Sequence, residues 1–298
     1  MRWCDRVYGE VSVDEPGILR IIECPTFERL KGIRQAGPSA FAYPFKTVTR
    51  HEHSLGVYVL LRRLGADLIE QVAGLLHDIS HTAFSHAVDF VFASEEQDHH
   101  ERLKPEFLHR PDLERAIRGL GFEPEMFHDD SIYPLLERPL PMLCADRLDY
   151  FLRDGVACGV VDRSAAQRIL KATTVVDRTI AFDDPAVARE AALLFSVMNR
   201  DLWASPTESY IYNEFADALR EGFRLGALSR DDLLGDDNYV LGLLHAARSS
   251  KIDRTLDRIS KFQPEVLDTF VPRVLPKTRW LDPPVAVKGR LVPLSQLI

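Results

Sequence analysis

Apolar side chains recur every three or four residues through much of the first 170 positions, which is the spacing of one helix face. Ile69, Val72 and Leu76 form one such stripe. Pro25 suits the first turn of an earlier helix that would end near Gly37. The pattern predicts helices over residues 25–37, 51–64, 67–79, 83–92 and 141–153.

The second half of the chain mixes strand and helix patterns. Residues 172–182 read ATTVVDRTIAF, two short β-type runs that meet at Asp177 and Arg178, and this predicts a hairpin. The tail from Phe270 is rich in Pro and Val, which indicates short strands or extended structure. Helices are expected over residues 184–199, 208–225 and 237–262.

These patterns predict a mainly α fold with a small β-hairpin and an extended or β-containing C-terminal portion. We expect a core made of residues 1–170. Residues 171–298 would form a C-terminal helical portion with short strands, packed on that core.

Composition and charge narrow the function classes. With 46% hydrophobic and 28% charged residues, the 298-residue chain is typical of a globular protein. The net charge of −8 argues against nucleic acid as a partner. No apolar run reaches the roughly 18 residues of a membrane span, and the four cysteines lack CxxC spacing. We therefore expect a cytoplasmic protein with no membrane partner.

The histidines are concentrated in one region. Seven of the ten lie between His51 and His100, in a stretch that contains RHEHSLGV and LLHDISHTAFSH. Imidazole is the usual neutral metal ligand and titrates near pH 7. Such crowding beside carboxylates indicates a metal-dependent active site.

Four side chains from three predicted helices are the candidate metal ligands: His53, His77, Asp78 and Asp146. Neighbouring helical residues point about 100° apart, so the HD pair can share an ion only near a helix end. Asp146 has an alternative, an ion pair with a nearby arginine. His51 is expected at the surface or behind the ligands, and Asp149 with Arg153 has the spacing of an ordinary i, i+4 ion pair.

The run of motifs over about residues 8–160 resembles the HD-domain phosphohydrolases. The match includes YGEVSVDEPGILRIIECPTFERLKGIRQAG, RHEHSLGV, GLLHDISHTAFSH and DRLDYFLRD. Within the superfamily it resembles the deoxynucleoside triphosphate triphosphohydrolases, a branch that includes bacterial dGTPases and the vertebrate SAM-and-HD-domain dNTP hydrolase. The resemblance implies an HD-domain helical fold.

The resemblance also implies roles for individual residues. It makes the four candidate ligands the metal site and places His81, Asp89 and His100 in the inner catalytic set. His99 is the alternative to His100 if the alignment with the family shifts by one residue. Its substrate-contacting positions correspond to Gln35, Arg50, Arg147, Tyr150 and Asp154. Of these, Arg50, Arg147 and Tyr150 would contact phosphates, and Gln35 with Asp154 would contact the sugar. The family's lysine is replaced by Arg147, and the similarity fades after residue 170.

Three functions remain open on the sequence. The first is a metal-dependent nucleotide phosphohydrolase that releases triphosphate from dNTPs. The second is a phosphatase or pyrophosphatase for a smaller phosphate ester or a nucleoside monophosphate, and the third is a non-catalytic nucleotide sensor. The ligand set would accept Mn, Fe, Ni, Zn or Co, with Mg accompanying the substrate phosphates. A small phosphate compound is the expected partner, and the family resemblance implies a homo-oligomer.

Overall fold

The computed structural model describes residues 1–92, 99–275 and 277–297. Helices dominate, as the sequence predicts. Within these residues the α-helices are α1 (Pro16–Ile22), α2 (Pro25–Glu28), α3 (Ser39–Ala42), α4 (Arg50–Arg63), α5 (Leu68–Leu76), α6 (Ala87–Val91), α7 (His99–Leu108), α8 (Pro111–Arg118), α9 (Ala145–Cys158), α10 (Arg163–Lys171), α11 (Pro185–Met198), α12 (Pro206–Arg224), α13 (Asp237–Ala246) and α14 (Ser250–Ser260). Short 3-10 or π turns cover Arg29–Gly32, Pro124–Phe127, Asp130–Ile132, Asn199–Trp203, Asp231–Leu234, Pro264–Asp268 and Leu294–Gln296.

Six short strands form two small sheets among the described residues. An antiparallel hairpin of β1 (Arg2–Asp5) and β2 (Gly9–Ser12) opens the chain. The second sheet has the order β3 (Thr173–Val176), β4 (Thr179–Phe182), β5 (Pro284–Val287) and β6 (Arg290–Pro293). β4 pairs in parallel with β5, whereas the outer pairs are antiparallel. The C-terminal strands thereby extend the predicted central hairpin.

Helices α4, α5 and α9 pack together and form the centre of the fold. Thr49 and Asp67 cap the N-termini of α4 and α5 by accepting backbone N–H bonds. Gly74 lets α5 approach α4 closely, because a Cβ there would overlap the side chain of Leu61. Gly159 ends α9 in the left-handed conformation with φ 73°.

The described residues form two hydrophobic cores beneath these elements. The larger surrounds α1, α4, α5 and α9 and also includes Phe195 and Val285 from the second half of the chain. The smaller joins α6 to α12, α13 and α14. The division predicted at residue 170 stays a prediction. No helix in the described ranges is both long and apolar enough to cross a membrane.

Several element boundaries differ from the sequence prediction. The helix expected over residues 25–37 ends at Glu28, continues as a 3-10 turn and becomes extended at Ile33. The helix expected from residue 83 begins only at Ala87. The helix predicted over 141–153 runs instead from Ala145 to Cys158, and the one over 237–262 is two helices.

Other elements agree with the prediction or were missed by it. The hairpin at Asp177 and Arg178 is present, and both residues have positive φ, as a tight two-residue hairpin turn requires. The short strands predicted in the tail are β5 and β6. The hairpin of β1 and β2 was not predicted, since four-residue strands of mixed polarity carry little periodic signal.

Candidate metal centre and cavity

The structure brings three of the four candidate metal ligands into a tight group. His53 projects from α4, His77 ends α5, and Asp146 lies in the first turn of α9. The two histidine Nε2 atoms are 3.1 Å apart, and Asp146 Oδ1 lies 2.9 Å from the first and 3.4 Å from the second. Since Asp146 contacts these rings, the alternative in which it pairs with an arginine does not hold in this arrangement.

The orientation of both imidazoles is fixed by their other nitrogens. His53 Nδ1 donates to Asp149 Oδ2 at 2.7 Å, and His77 Nδ1 donates to the Gly74 carbonyl at 2.8 Å. Each ring therefore presents Nε2 to the same point. Two ring nitrogens and a carboxylate oxygen that converge in this way, with each ring held by a partner behind it, fit a divalent transition metal.

Asp78 lies at the border of this group. Its carboxylate oxygens are 3.6 and 3.7 Å from the Nε2 atoms of His77 and His53. The same carboxylate accepts a hydrogen bond from Arg50 at 2.7 Å, and Oδ1 lies 3.1 Å from His81 Nε2. Asp78 thus links the candidate ligands to a neighbouring set of polar side chains.

The carboxylates favour positive charge at this point. Burial alone would lower the pKa of His53, but hydrogen bonds to Asp146 and Asp149 raise it to about 10. The pKa of Asp146 is held well below its usual value by the two imidazoles, even though burial opposes this. A site that stabilises a proton so strongly also provides the electrostatic environment that a metal cation requires.

Three further imidazoles lie beyond Asp78. The rings of His81 and His100 are stacked with centroids 4.1 Å apart, and His86 meets both rings edge-on. His86 Nδ1 lies 3.1 Å from Asp89 Oδ2. Burial is the main cause that lowers the pKa of all three rings, and Arg50 lowers each further. Burial and Arg50 thus favour the neutral form of each ring.

An irregular loop carries His81 and His86, and one buried carboxylate holds it, whereas His100 lies on α7. Phe84 and Ser85 have φ of 60° and 53°, unusual for side-chain-bearing residues. Asp237 accepts the backbone N–H of Phe84 at 2.6 Å and that of Arg34 at 2.9 Å. Ser85 Oγ donates to the Arg34 carbonyl at 2.7 Å. The loop between α5 and α6 is thus tied to α13 and to the segment before α4.

The candidate ligands and imidazoles open into a cavity of about 970 Å³. All five predicted substrate-contacting residues line it, as do His81, His86 and His100; Asp89 lies behind His86. Part of the hydrogen-bonding capacity of the Arg147 guanidinium is already used, since it donates to the Met142 carbonyl at 2.6 Å and lies 3.4 Å from Glu137. The cavity is large enough for a nucleotide-sized ligand.

Gln35 and Asp154 meet at the part of the cavity wall that also contains Trp203. Gln35 Nε2 is 3.4 Å from both carboxylate oxygens of Asp154, and Trp203 Nε1 donates to Asp154 at 3.0 Å. The Trp203 ring packs edge-on against Tyr150, with centroids 5.1 Å apart. Hydrogen-bonding groups beside aromatic rings suit a ligand with both polar and flat parts.

Four side chains at the site were not assigned a site role from the sequence. His86 was left out of the catalytic set. Asp149 was assigned to Arg153 alone; that pair exists at 2.9 Å, yet Asp149 also binds His53. Trp203 and Arg279 line the cavity from distant parts of the chain. No local pattern could have placed these two, because only the tertiary fold brings them there.

Comparisons with known proteins agree with this geometry. The HD domain family matches residues 50–153, which include His53, the HD pair and Asp146. The chain is 33% identical to the metal-dependent phosphohydrolase cns2 of Cordyceps militaris over 97% of its own length and 86% of the relative's. It belongs to the HD-domain phosphohydrolases. It is accordingly a metal-dependent hydrolase, whose metal is not identified.

Two further similarities cover less of the chain or share less of its sequence. The bovine (Bos taurus) deoxynucleoside triphosphate triphosphohydrolase SAMHD1 is 37% identical over 100 residues, which are 28% of this chain and 17% of the bovine one. A phosphohydrolase from Bacteroides thetaiotaomicron superposes with a TM-score of 0.68 at 20% identity, over 88% of this chain and 77% of the other. The second similarity concerns the fold alone, and the HD-domain architecture rests on the family match over residues 50–153.

Proposed function

We propose that the protein hydrolyses deoxynucleoside triphosphates: water attacks the α-phosphorus, the bond from that phosphorus to the 5′-oxygen breaks, and deoxynucleoside and triphosphate are the products. The observation that carries the proposal is that one cavity is lined both by the candidate metal ligands and by the side chains expected to bind phosphate and sugar. The partial similarity to a dNTP triphosphohydrolase supports the same substrate class.

In this proposal His53, His77, Asp78 and Asp146 hold one divalent transition metal. When bound, the metal supplies a Lewis acid that polarises a phosphoryl oxygen and activates water. Asp149 and the Gly74 carbonyl keep the two imidazoles in the tautomer that presents Nε2. Asp78 also anchors Arg50 beside the metal ligands.

The imidazoles of His81, His86 and His100 would transfer protons and orient the reacting groups. Asp89 lies 3.1 Å from His86 Nδ1 and makes this ring a better proton acceptor than burial alone would allow. His86 can take a proton from the attacking water and return it to the departing oxygen. His81 and His100 have buried Nδ1 atoms with no hydrogen-bond partner in the described part of the chain, so they can orient water or a phosphoryl oxygen.

Cations and polar groups would position the substrate. Arg50, Arg147 and Tyr150 would bind phosphate oxygens, and Arg279 would add a further positive charge. Gln35 and Asp154 would contact the sugar, where Trp203 holds the Asp154 carboxylate in place.

One observation favours a second candidate, a phosphatase or pyrophosphatase for a smaller phosphate ester. Arg50 forms an ion pair with Asp78, and Arg147 already donates to backbone carbonyls and contacts Glu137. Arg279 has no carboxylate within ion-pair distance among residues 1–92, 99–275 and 277–297. Because Arg50 and Arg147 are already engaged, they suit a substrate with one phosphate better than one with three.

The assay that separates these functions uses purified protein with Mn²⁺ and single dNTPs, NTPs or nucleoside monophosphates. Inorganic triphosphate as the product supports the first proposal, and orthophosphate from monophosphates supports the second. Nucleotide binding with no turnover would contradict both and indicate a sensor. A His77→Ala variant serves as the control for contaminating hydrolases, since it lacks a proposed metal ligand.

A further inference from the structure

The carboxylate of Asp149 lies between the proposed metal centre and the N-terminal hairpin of β1 and β2. It is fully buried and holds His53 Nδ1 at 2.7 Å. Arg153 donates to it at 2.9 and 3.0 Å, and the Tyr8 hydroxyl donates to Oδ1 at 2.7 Å. Tyr8 is 141 residues away in sequence, so this contact depends entirely on where the hairpin docks.

The hairpin loop is shaped so that it presents this hydroxyl. Asp5 accepts the backbone N–H groups of Val7 and Tyr8 at 2.8 and 3.0 Å, and Gly9 closes the turn with φ 72°. The second oxygen of Asp5 accepts from Arg153 Nη1 at 3.0 Å. Arg63 Nη2 donates to the Tyr8 carbonyl at 2.7 Å, which ties the loop to α4 as well.

We propose that this hairpin is part of the metal centre, with Tyr8 as a positioning residue that acts through Asp149 on His53. The inference rests on the proposed role of His53 as a metal ligand. If the hydroxyl were there only to fill space, phenylalanine would serve equally well. Its hydrogen bond instead fixes Oδ1, so that Oδ2 faces the imidazole. Docking of the hairpin and binding of the metal must then favour each other, because such coupling is reciprocal.

The expected size of the effect follows from the number of contacts. Carboxylates that orient a metal-binding histidine are typically worth about 10- to 100-fold in metal affinity. Tyr8 is one step further from the ion, and Arg153 still holds Asp149 when the hydroxyl is lost. We therefore expect Tyr8→Phe to weaken metal binding about three- to tenfold, at the lower end of that range or just below it.

The test compares Tyr8→Phe with Tyr133→Phe. Tyr133 is also buried, but its hydroxyl donates to the Met126 carbonyl at 2.7 Å and does not line the cavity. The dissociation constant for Mn²⁺ is measured by competition with a chelator. Only Tyr8→Phe should weaken binding. Hydrogen exchange of the amides of β1 and β2 in the wild-type chain should slow when Mn²⁺ is added, a readout that needs no variant.

The outcomes separate this inference from the proposed function. A wild-type chain that binds Mn²⁺ and loses it in His53→Ala, with an unchanged constant in Tyr8→Phe and unchanged hairpin exchange, overturns the inference alone. A wild-type chain that binds no divalent metal overturns the proposed centre and the inference together. Weaker binding in both tyrosine variants would also overturn the inference, since it would report general loosening of the fold.

Discussion

Replacement of Asp237 by alanine should loosen the loop that carries His81 and His86. The carboxylate is 8% exposed and accepts two backbone N–H groups, from Arg34 and Phe84. A buried donor left without a partner costs about 1–3 kcal/mol. Burial also raises the pKa of Asp237 to about 6, so keeping the carboxylate charged at pH 7 lowers the free energy of unfolding and offsets part of this gain. We expect a net loss of about 2 kcal/mol in the free energy of unfolding.

Activity should fall by more than this stability loss explains. Ser85 and Phe84 hold positive φ only while the loop is tied down, and His81 and His86 lie on either side of them. We expect kcat/KM to fall at least about tenfold, because small displacements of catalytic groups are costly. Urea unfolding followed by circular dichroism gives the stability, and steady-state hydrolysis gives kcat/KM.

Asp236→Ala is the matched control. Asp236 caps α13 by accepting the N–H of Tyr239 at 2.9 Å and, among the residues that the structure describes, makes no hydrogen bond to the loop backbone. Its loss should cost about 1 kcal/mol of stability, the usual value of a helix cap. Activity should stay near the wild-type level. Equal losses of kcat/KM in the two variants, or full activity in Asp237→Ala, would refute the idea that Asp237 sets the loop geometry.

Two further predictions concern the packing behind the metal centre and the mouth of the cavity. Gly56→Ala should lower the free energy of unfolding by about 2 kcal/mol in a thermal unfolding measurement, since the added methyl overlaps Arg153 and Asp149. The control Gly242→Ala, with open space around the added methyl, should leave the stability unchanged or raise it slightly. Arg279→Gln should raise KM for a phosphate substrate about tenfold with little change in melting temperature. Arg279→Lys should recover part of that loss, and an unchanged KM in Arg279→Gln would exclude phosphate binding by this side chain.

The helices that carry the candidate ligands could be predicted because their signals are local. Apolar residues at helical spacing define α4 and α5, and the HD pair follows the second helix directly. The hairpin of β3 and β4 was predictable from its two β-type runs and the residues between them. Where burial of one face is all that determines an element, the spacing of the apolar residues is enough to predict it.

The loop before α6 could not be predicted in the same way. Phe84 and Ser85 adopt left-handed conformations that residues of these types rarely show, so no local signal marks the break. The carboxylate that holds them belongs to α13, more than 150 residues later. The expected helix from residue 83 was therefore wrong at its start, since a tertiary hydrogen bond overrides local helical preference.

The role of Asp149 shows the same limit within a correctly predicted helix. Its i, i+4 spacing to Arg153 predicted an ion pair, and that pair is present. The remaining contacts of the carboxylate, to His53 and Tyr8, join three segments that are far apart in sequence. The i, i+4 spacing rule predicts contacts between neighbours on one helix. It does not predict which residues of other segments contact the same side chain.

A crystal structure of the protein grown with Mn²⁺, with anomalous diffraction to locate the ion, tests the central claim most directly. The account predicts one strong anomalous peak about 2.0–2.3 Å from the Nε2 atoms of His53 and His77 and from oxygens of Asp78 and Asp146. A peak bound elsewhere, or these four side chains surrounding no ion at saturating metal, would contradict it.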